Sequence, residues 1–201
     1  MILHSVLEAA FGSPAKIRIL RVLLTTPQPL SGRQVGELAR LSHRGAIQAL
    51  TSLVELGAVR QRRVGKAYQY SLYWDNAAVK TIIAPCIKAE AALMDDLKIN
   101  LTTQFGKNAM SLTLYGSLAR GMEKRGSDID VLAVANDDRT KLGLEEKAAT
   151  LVPFYRELYN TLLSLHCFTL NELKKKKNSP LIKSVIQEGI LISGKPLGEL
   201  I

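Results

Sequence analysis

The sequence predicts a two-domain α/β protein. A helical N-terminal third closed by a β-hairpin leads through a long connecting helix to a C-terminal α+β domain built on a small mixed sheet. Three observations predict this. Apolar residues between positions 10 and 57 recur at helical spacing in three short runs. Residues 58–73 alternate on either side of Gly65-Lys66, the pattern of a hairpin. From Met110 onward, short apolar runs alternate with helical patterns around turn residues. The domain limits are read as 1–75, 76–106 and 107–201.

Each element follows from local chemistry. Ser13-Pro14 supplies a cap and a proline suited to a first helical turn, and Ile17, Leu20 and Leu24 form the stripe behind it. Thr25-Thr26-Pro27-Gln28-Pro29 ends that helix. Ser31 caps a second helix bearing Val35, Leu38 and Ala39. After the turn Leu41-Ser42, a third helix places Ile47, Leu50 and Val54 inside and stops at Gly57. Strands Ala58–Val64 and Ala67–Tyr73 complete the hairpin. Asp75-Asn76 then caps a long amphipathic helix with Ile83, Ile87, Ala91, Met94, Leu97 and Leu101 on its stripe, kinked or restarted at Pro85.

In the C-terminal part, strands are expected at Met110–Tyr115, Asp128–Val134, His166–Leu170 and Ile190–Ile192. Helices are expected at Leu118–Gly121, Leu142–Leu163, Asn171–Lys177 and Pro180–Gln187.

Composition bounds the function. The chain of 201 residues is 47% hydrophobic, enough for buried cores. It has no eighteen-residue apolar run and no signal-peptide pattern, so a cytoplasmic protein without a membrane span is expected. Cys86 and Cys167 have neither metal-ligand spacing nor a disulfide framework. The net charge of +9 is uneven. Residues 1–75 carry ten Lys and Arg against four Asp and Glu, which points to a polyanionic partner for the first third.

Helix, helix, turn, helix and basic hairpin in this order resembles the winged helix-turn-helix domains of bacterial and archaeal transcription regulators, over about residues 10–75. The resemblance implies double-stranded DNA as partner and a third helix in the major groove. His43, Arg44, Gln48 and Thr51 face outward on that helix, and Arg44 and Gln48 suit guanine and adenine edges. Arg60, Arg62, Arg63 and Lys66 in the wing would contact phosphates. The same charges would also suit a protein-binding face. The apolar stripe of the connector would pack on the following domain or pair two copies in a homodimer, as regulators that read paired half-sites do.

The densest chemical signal lies in Tyr115-Gly116-Ser117-Leu118-Ala119-Arg120-Gly121 and Ser127-Asp128-Ile129-Asp130. Asp128 and Asp130 sit two apart on a strand, so both project from one face and can share a divalent cation. A small-residue turn opening a helix supplies backbone N–H groups for phosphate. Gly-Ser, ten intervening residues and Asp-x-Asp resemble the signature of the polymerase-beta nucleotidyltransferase superfamily. The longer string resembles its minimal, antitoxin-like branch, which includes proteins that adenylylate a partner toxin.

That resemblance implies a nucleoside triphosphate, ATP foremost, with Mg2+ or Mn2+ held by Asp128 and Asp130 as the catalytic and metal-binding pair. It also implies phosphate contacts from Gly116, Ser117, Arg120 and Ser127, and a toxin-like partner protein. It implies a third carboxylate on the neighbouring strand as well. His166-Cys167-Phe168-Thr169-Leu170 has none. Glu172 lies one turn into a helix, and Glu157 should face solvent. Two readings stay open: an enzyme transferring a nucleotidyl group to a protein or small molecule, and a non-enzymatic regulator that senses nucleotide or binds a partner.

Overall fold

The computed structural model describes residues 4–201. The chain divides into two compact units, Met1–Met94 and Asp95–Ile201.

The first unit runs α1 (Val6–Phe11), α2 (Pro14–Thr25), β1 (Leu30–Ser31), α3 (Gly32–Leu38), α4 (His43–Glu55), β2 (Val59–Val64) and β3 (Ala67–Leu72). Side-chain caps set its helix starts. Ser13 accepts the Lys16 N–H with Pro14 at the first helical position, Ser31 and Gln34 form a capping box, and Ser42 accepts from Gly45 N–H. The strands form an antiparallel sheet in the order β1-β3-β2. Ile19, Leu20, Leu23, Val35, Leu50, Leu53, Val59 and Leu72 close one core beneath it. This is a winged helix-turn-helix architecture, with α4 as its third helix and β2–β3 as its wing.

Three details depart from the expected pattern. α1 was not expected; Ser5 stands at its N-cap, but its side chain makes no capping hydrogen bond. β1 is two residues long and exists through its pairing with Tyr70 and Gln69 of β3. Leu38, expected inside, is 58% exposed because Val35 and Ala39 fill the inner positions.

A π-helical turn, Val79–Ile83, precedes α5 (Ala84–Phe105). The expected break at Pro85 takes this form: proline offers no N–H, and the widened turn just before it accommodates the gap. Asn76 caps the turn by accepting the Val79 N–H. Ile83 and Ile87 are buried in the first unit's core. Leu97, Leu101 and Phe105, in the second unit, are also buried, whereas Ala91 is exposed.

The second unit contains β4 (Ser111–Tyr115), α6 (Gly116–Ala119), β5 (Ile129–Ala135), α7 (Asp138–Tyr159), β6 (Leu163–Thr169), α8 (Leu170–Lys175), α9 (Pro180–Glu188) and β7 (Ile190–Gly194). The sheet order is β6-β5-β4-β7. β5 and β6 are parallel with α7 as their crossover, and the other pairs are antiparallel. Leu132 and Val134 of β5 pack with Leu173 of α8 and with Ile182 and Val185 of α9. The alternate residues Val131 and Ala133 are buried toward the opposite face.

Three boundaries move. α7 starts four residues earlier than expected, because Asp137 accepts the Thr140 N–H as its cap, and it ends at Asn160 in the left-handed conformation. α6 begins at Gly116 rather than Leu118. β6 begins at Leu163 rather than His166, which changes the place of His166 in the site. Among the described residues no helix is long and apolar enough to cross a membrane.

Candidate functional site

The site is assembled where β4 ends and β5 begins. Antiparallel pairing sets Tyr115 opposite Asp130, so the turn that follows Tyr115 lies over that carboxylate. Gly116 has φ +78°, and a Cβ built on it would stand 2.3 Å from Asp130 Oδ2. Glycine is therefore required twice, for the positive φ and for the space the carboxylate occupies. Asp128, two residues earlier, is exposed at the mouth of the strand.

Burial first, and the Asp128 charge second, hold the Asp130 carboxyl above the ordinary carboxylate value, while His166 and Arg120 draw it partway back. Two carboxylates that repel each other at the end of a strand would be relieved by a cation between them. Among the described residues no cluster of three or more His, Cys, Asp and Glu has metal-binding geometry. A two-carboxylate set suits Mg2+, which keeps several waters and completes its shell with substrate phosphates.

The other predicted residues fall as follows. α6 is a single turn, too short for a strong helix dipole. Ser117 is half-buried in that turn and Arg120 is exposed at its end. Arg120 Nη1 donates to Glu188 Oε2 at 3.1 Å rather than pairing with Asp128. Ser127 lies in the loop before β5, and its hydroxyl accepts the Lys124 N–H at 2.9 Å, a loop-fixing bond.

Parallel pairing sets Ser164 opposite Asp130 and His166 opposite Leu132. His166 therefore stands in mid-strand on the Asp130 face. Its Nδ1 is 2.8 Å from Tyr115 Oη, and the rings meet edge-on. Burial, then the Asp130 charge, push the Tyr115 phenol up to about 12, so it stays protonated and holds that bond at neutral pH.

The acids considered for a third ligand are placed elsewhere. Glu172 completes the α8 capping box and takes Lys141 Nζ at 2.9 Å, and Glu157 is exposed. Sequence reasoning missed Glu188 as a neighbour of the motif and the contact of Tyr115 with His166. Glu188 is 68 positions from Arg120, and only the β4–β7 pairing brings it there.

On the first unit, His43, Arg44, Gln48 and Thr51 are all exposed on α4. His43, Arg44, Ile47 and Gln48 line a shallow hollow. Arg62, Arg63 and Lys66 are exposed on the wing. Arg60 is tied down: its guanidinium stacks 3.8 Å from the Tyr73 ring centre and lies 3.9 Å from Asp75.

Residues 98–196 match the family described as "Polymerase beta, Nucleotidyltransferase". This segment is a nucleotidyltransferase domain. No curated protein matches the chain. Several solved structures are similar to parts of it, among them the following three. A MarR-family transcriptional regulator from Silicibacter pomeroyi is 22% identical, with TM-score 0.35, covering 48% of this chain and 76% of the other. A toxin–antitoxin complex with AMP-PNP is 20% identical, with TM-score 0.32, covering 50% and 73%. A mutant of the toxin–antitoxin pair MntA–HpeT is 18% identical, with TM-score 0.33, covering 52% and 76%. The Gly116–Asp130 window lies inside the matched segment of the nucleotidyltransferase domain.

Proposed function

We propose that this chain is a DNA-binding protein whose nucleotidyltransferase domain binds a nucleoside triphosphate with Mg2+ and transfers a nucleotidyl group to a protein or small-molecule acceptor. The observation that carries the reading is the seating of the Asp130 carboxylate under the Gly116 turn. The metal, held by Asp128 and Asp130, would neutralise charge on the triphosphate during transfer. Ser117 and Arg120 would hold phosphate oxygens, with Gly116 leaving room for the Asp130 carboxylate beside them. Ser127 joins them through the loop it fixes. In the first unit, Arg44 and Gln48 would read base edges, with His43 and Thr51 beside them. Arg60, Arg62, Arg63 and Lys66 would face the backbone.

Calorimetry with Mg–ATP tests the site. The parent should bind, and Asp128→Ala combined with Asp130→Ala should not. Equal binding by both proteins would refute the assignment.

A second reading has an observation of its own. Ser164 and His166 occupy the β6 positions on the Asp130 face, the strand on which the family resemblance calls for a third carboxylate. That arrangement favours nucleotide binding without turnover, in a regulator that senses nucleotide or docks a partner protein. Incubation with labelled NTPs and candidate acceptors separates the two: transferred label supports the enzyme, and binding without transfer supports the sensor.

A further inference from the structure

The last residue of α9, Glu188, is the acidic partner of the motif arginine. Its position follows from the sheet. β7 opens at Ile190 opposite Leu114, one residue before Tyr115 and two before Gly116. The corner between α9 and β7 is packed tightly on β4. A Cβ on Gly189 would stand 2.4 Å from Val185 O and 2.7 Å from Thr113 Cγ2. Glu188 is thus delivered to the Gly116 end of the sheet by close packing rather than by a free loop.

The charge balance there is unusual for a site that must accept an anion. Asp128 and Asp130 are both acidic. Of the neighbouring side chains, His166 and Arg120 draw the Asp130 carboxyl back down. Lys124 and Arg125 lie on the exposed loop between the two halves of the motif. The arginine nearest to serving a phosphate is already neutralised.

We propose that Glu188 is a built-in carboxylate competitor for phosphate at Arg120, which makes anion binding at this site conditional on a divalent cation. This rests on the nucleotide-binding reading given above. Without metal, an incoming polyphosphate meets two carboxylates and an arginine whose charge is cancelled. With metal at Asp128 and Asp130, the local charge turns favourable, and the phosphate displaces Glu188 from the guanidinium. Glu188 takes one Arg120 nitrogen, so the remaining donors of the fork are free to start that exchange.

The test uses the full-length protein and inorganic tripolyphosphate in EDTA, followed by calorimetry, with Mg–ATP titrated separately. Glu188→Gln keeps size and hydrogen bonding and removes the charge. It should bind metal-free tripolyphosphate about fivefold tighter than the parent, the scale of a half-exposed ion pair. Arg120→Ala combined with Glu188→Gln should lose that gain. Unchanged or weaker binding by Glu188→Gln, or a gain that survives loss of Arg120, would overturn the proposal. A parent that fails to bind Mg–ATP, beside a Glu188→Gln protein that gains tripolyphosphate through Arg120, would sink the nucleotide reading and leave the competitor standing. Parental Mg–ATP binding with no effect of Glu188→Gln would do the reverse.

Discussion

At the residue scale, Asp130 sets stability against function. Its carboxyl is raised by burial and by Asp128, so folding disfavours its charged form. The folded state is therefore relatively favoured at low pH, and that advantage is lost as pH rises through the raised value. Asp130→Asn removes the penalty. In EDTA, thermal melts at pH 7 should show a higher Tm for Asp130→Asn than for the parent, and the gap should close as pH falls below about 4. Gly116→Ala should act in the opposite sense. It forces a side chain into a backbone at φ +78° and into contact with Asp130, and urea unfolding should report a loss of about 1–3 kcal/mol. Nucleotide binding should fall with it, because the carboxylate must move aside.

At the scale of the elements, the arginines of the wing are held unequally. Arg60 is stacked on Tyr73 and faces Asp75, whereas Arg62 has no acid within ion-pair distance among the described residues. Arg60→Ala should therefore weaken DNA binding less than Arg62→Ala in low-salt titrations. Arg44→Ala should relax sequence preference, while Lys66→Ala should weaken all sequences alike and flatten the salt slope by about one unit. Helix starts were legible wherever a serine cap preceded the stripe, as at Ser13, Ser31 and Ser42. Elements without a local signal were not. The Ser5 side chain does not close a cap on α1, and β1 is made by its partner strand. The early start of β6 was hidden because Leu163-Ser164-Leu165 reads equally as the tail of a helix. The same limit governed the site. Gly116, Ser117, Asp128 and Asp130 lie in one window and declare themselves, whereas Tyr115–His166 and Arg120–Glu188 are long-range pairs that only the sheet order creates.

At the scale of the whole molecule, the chain is two units with separate cores. Ligands that bind only one unit should leave their mark there. Hydrogen exchange with Mg–ATP should show added protection within residues 95–201, greatest around β4, α6 and the start of β5. A DNA duplex should protect α4 and the β2–β3 wing instead. Protection by Mg–ATP confined to residues 4–94 would contradict the assignment of the nucleotide site.

The seating of Asp130 under Gly116 also bears on how the site comes into being during folding. The turn, both carboxylates, Ser117 and Arg120 all lie between Tyr115 and Asp130, on or between two strands that pair directly. Their contacts are local in sequence, so this part can form early and at small loop-closure cost. His166 and Glu188 come from 51 and 68 positions away and join only when the rest of the sheet docks. The seat of Asp130 is thus built from one stretch of chain, and its contacts with His166 and Glu188 wait for the outer strands.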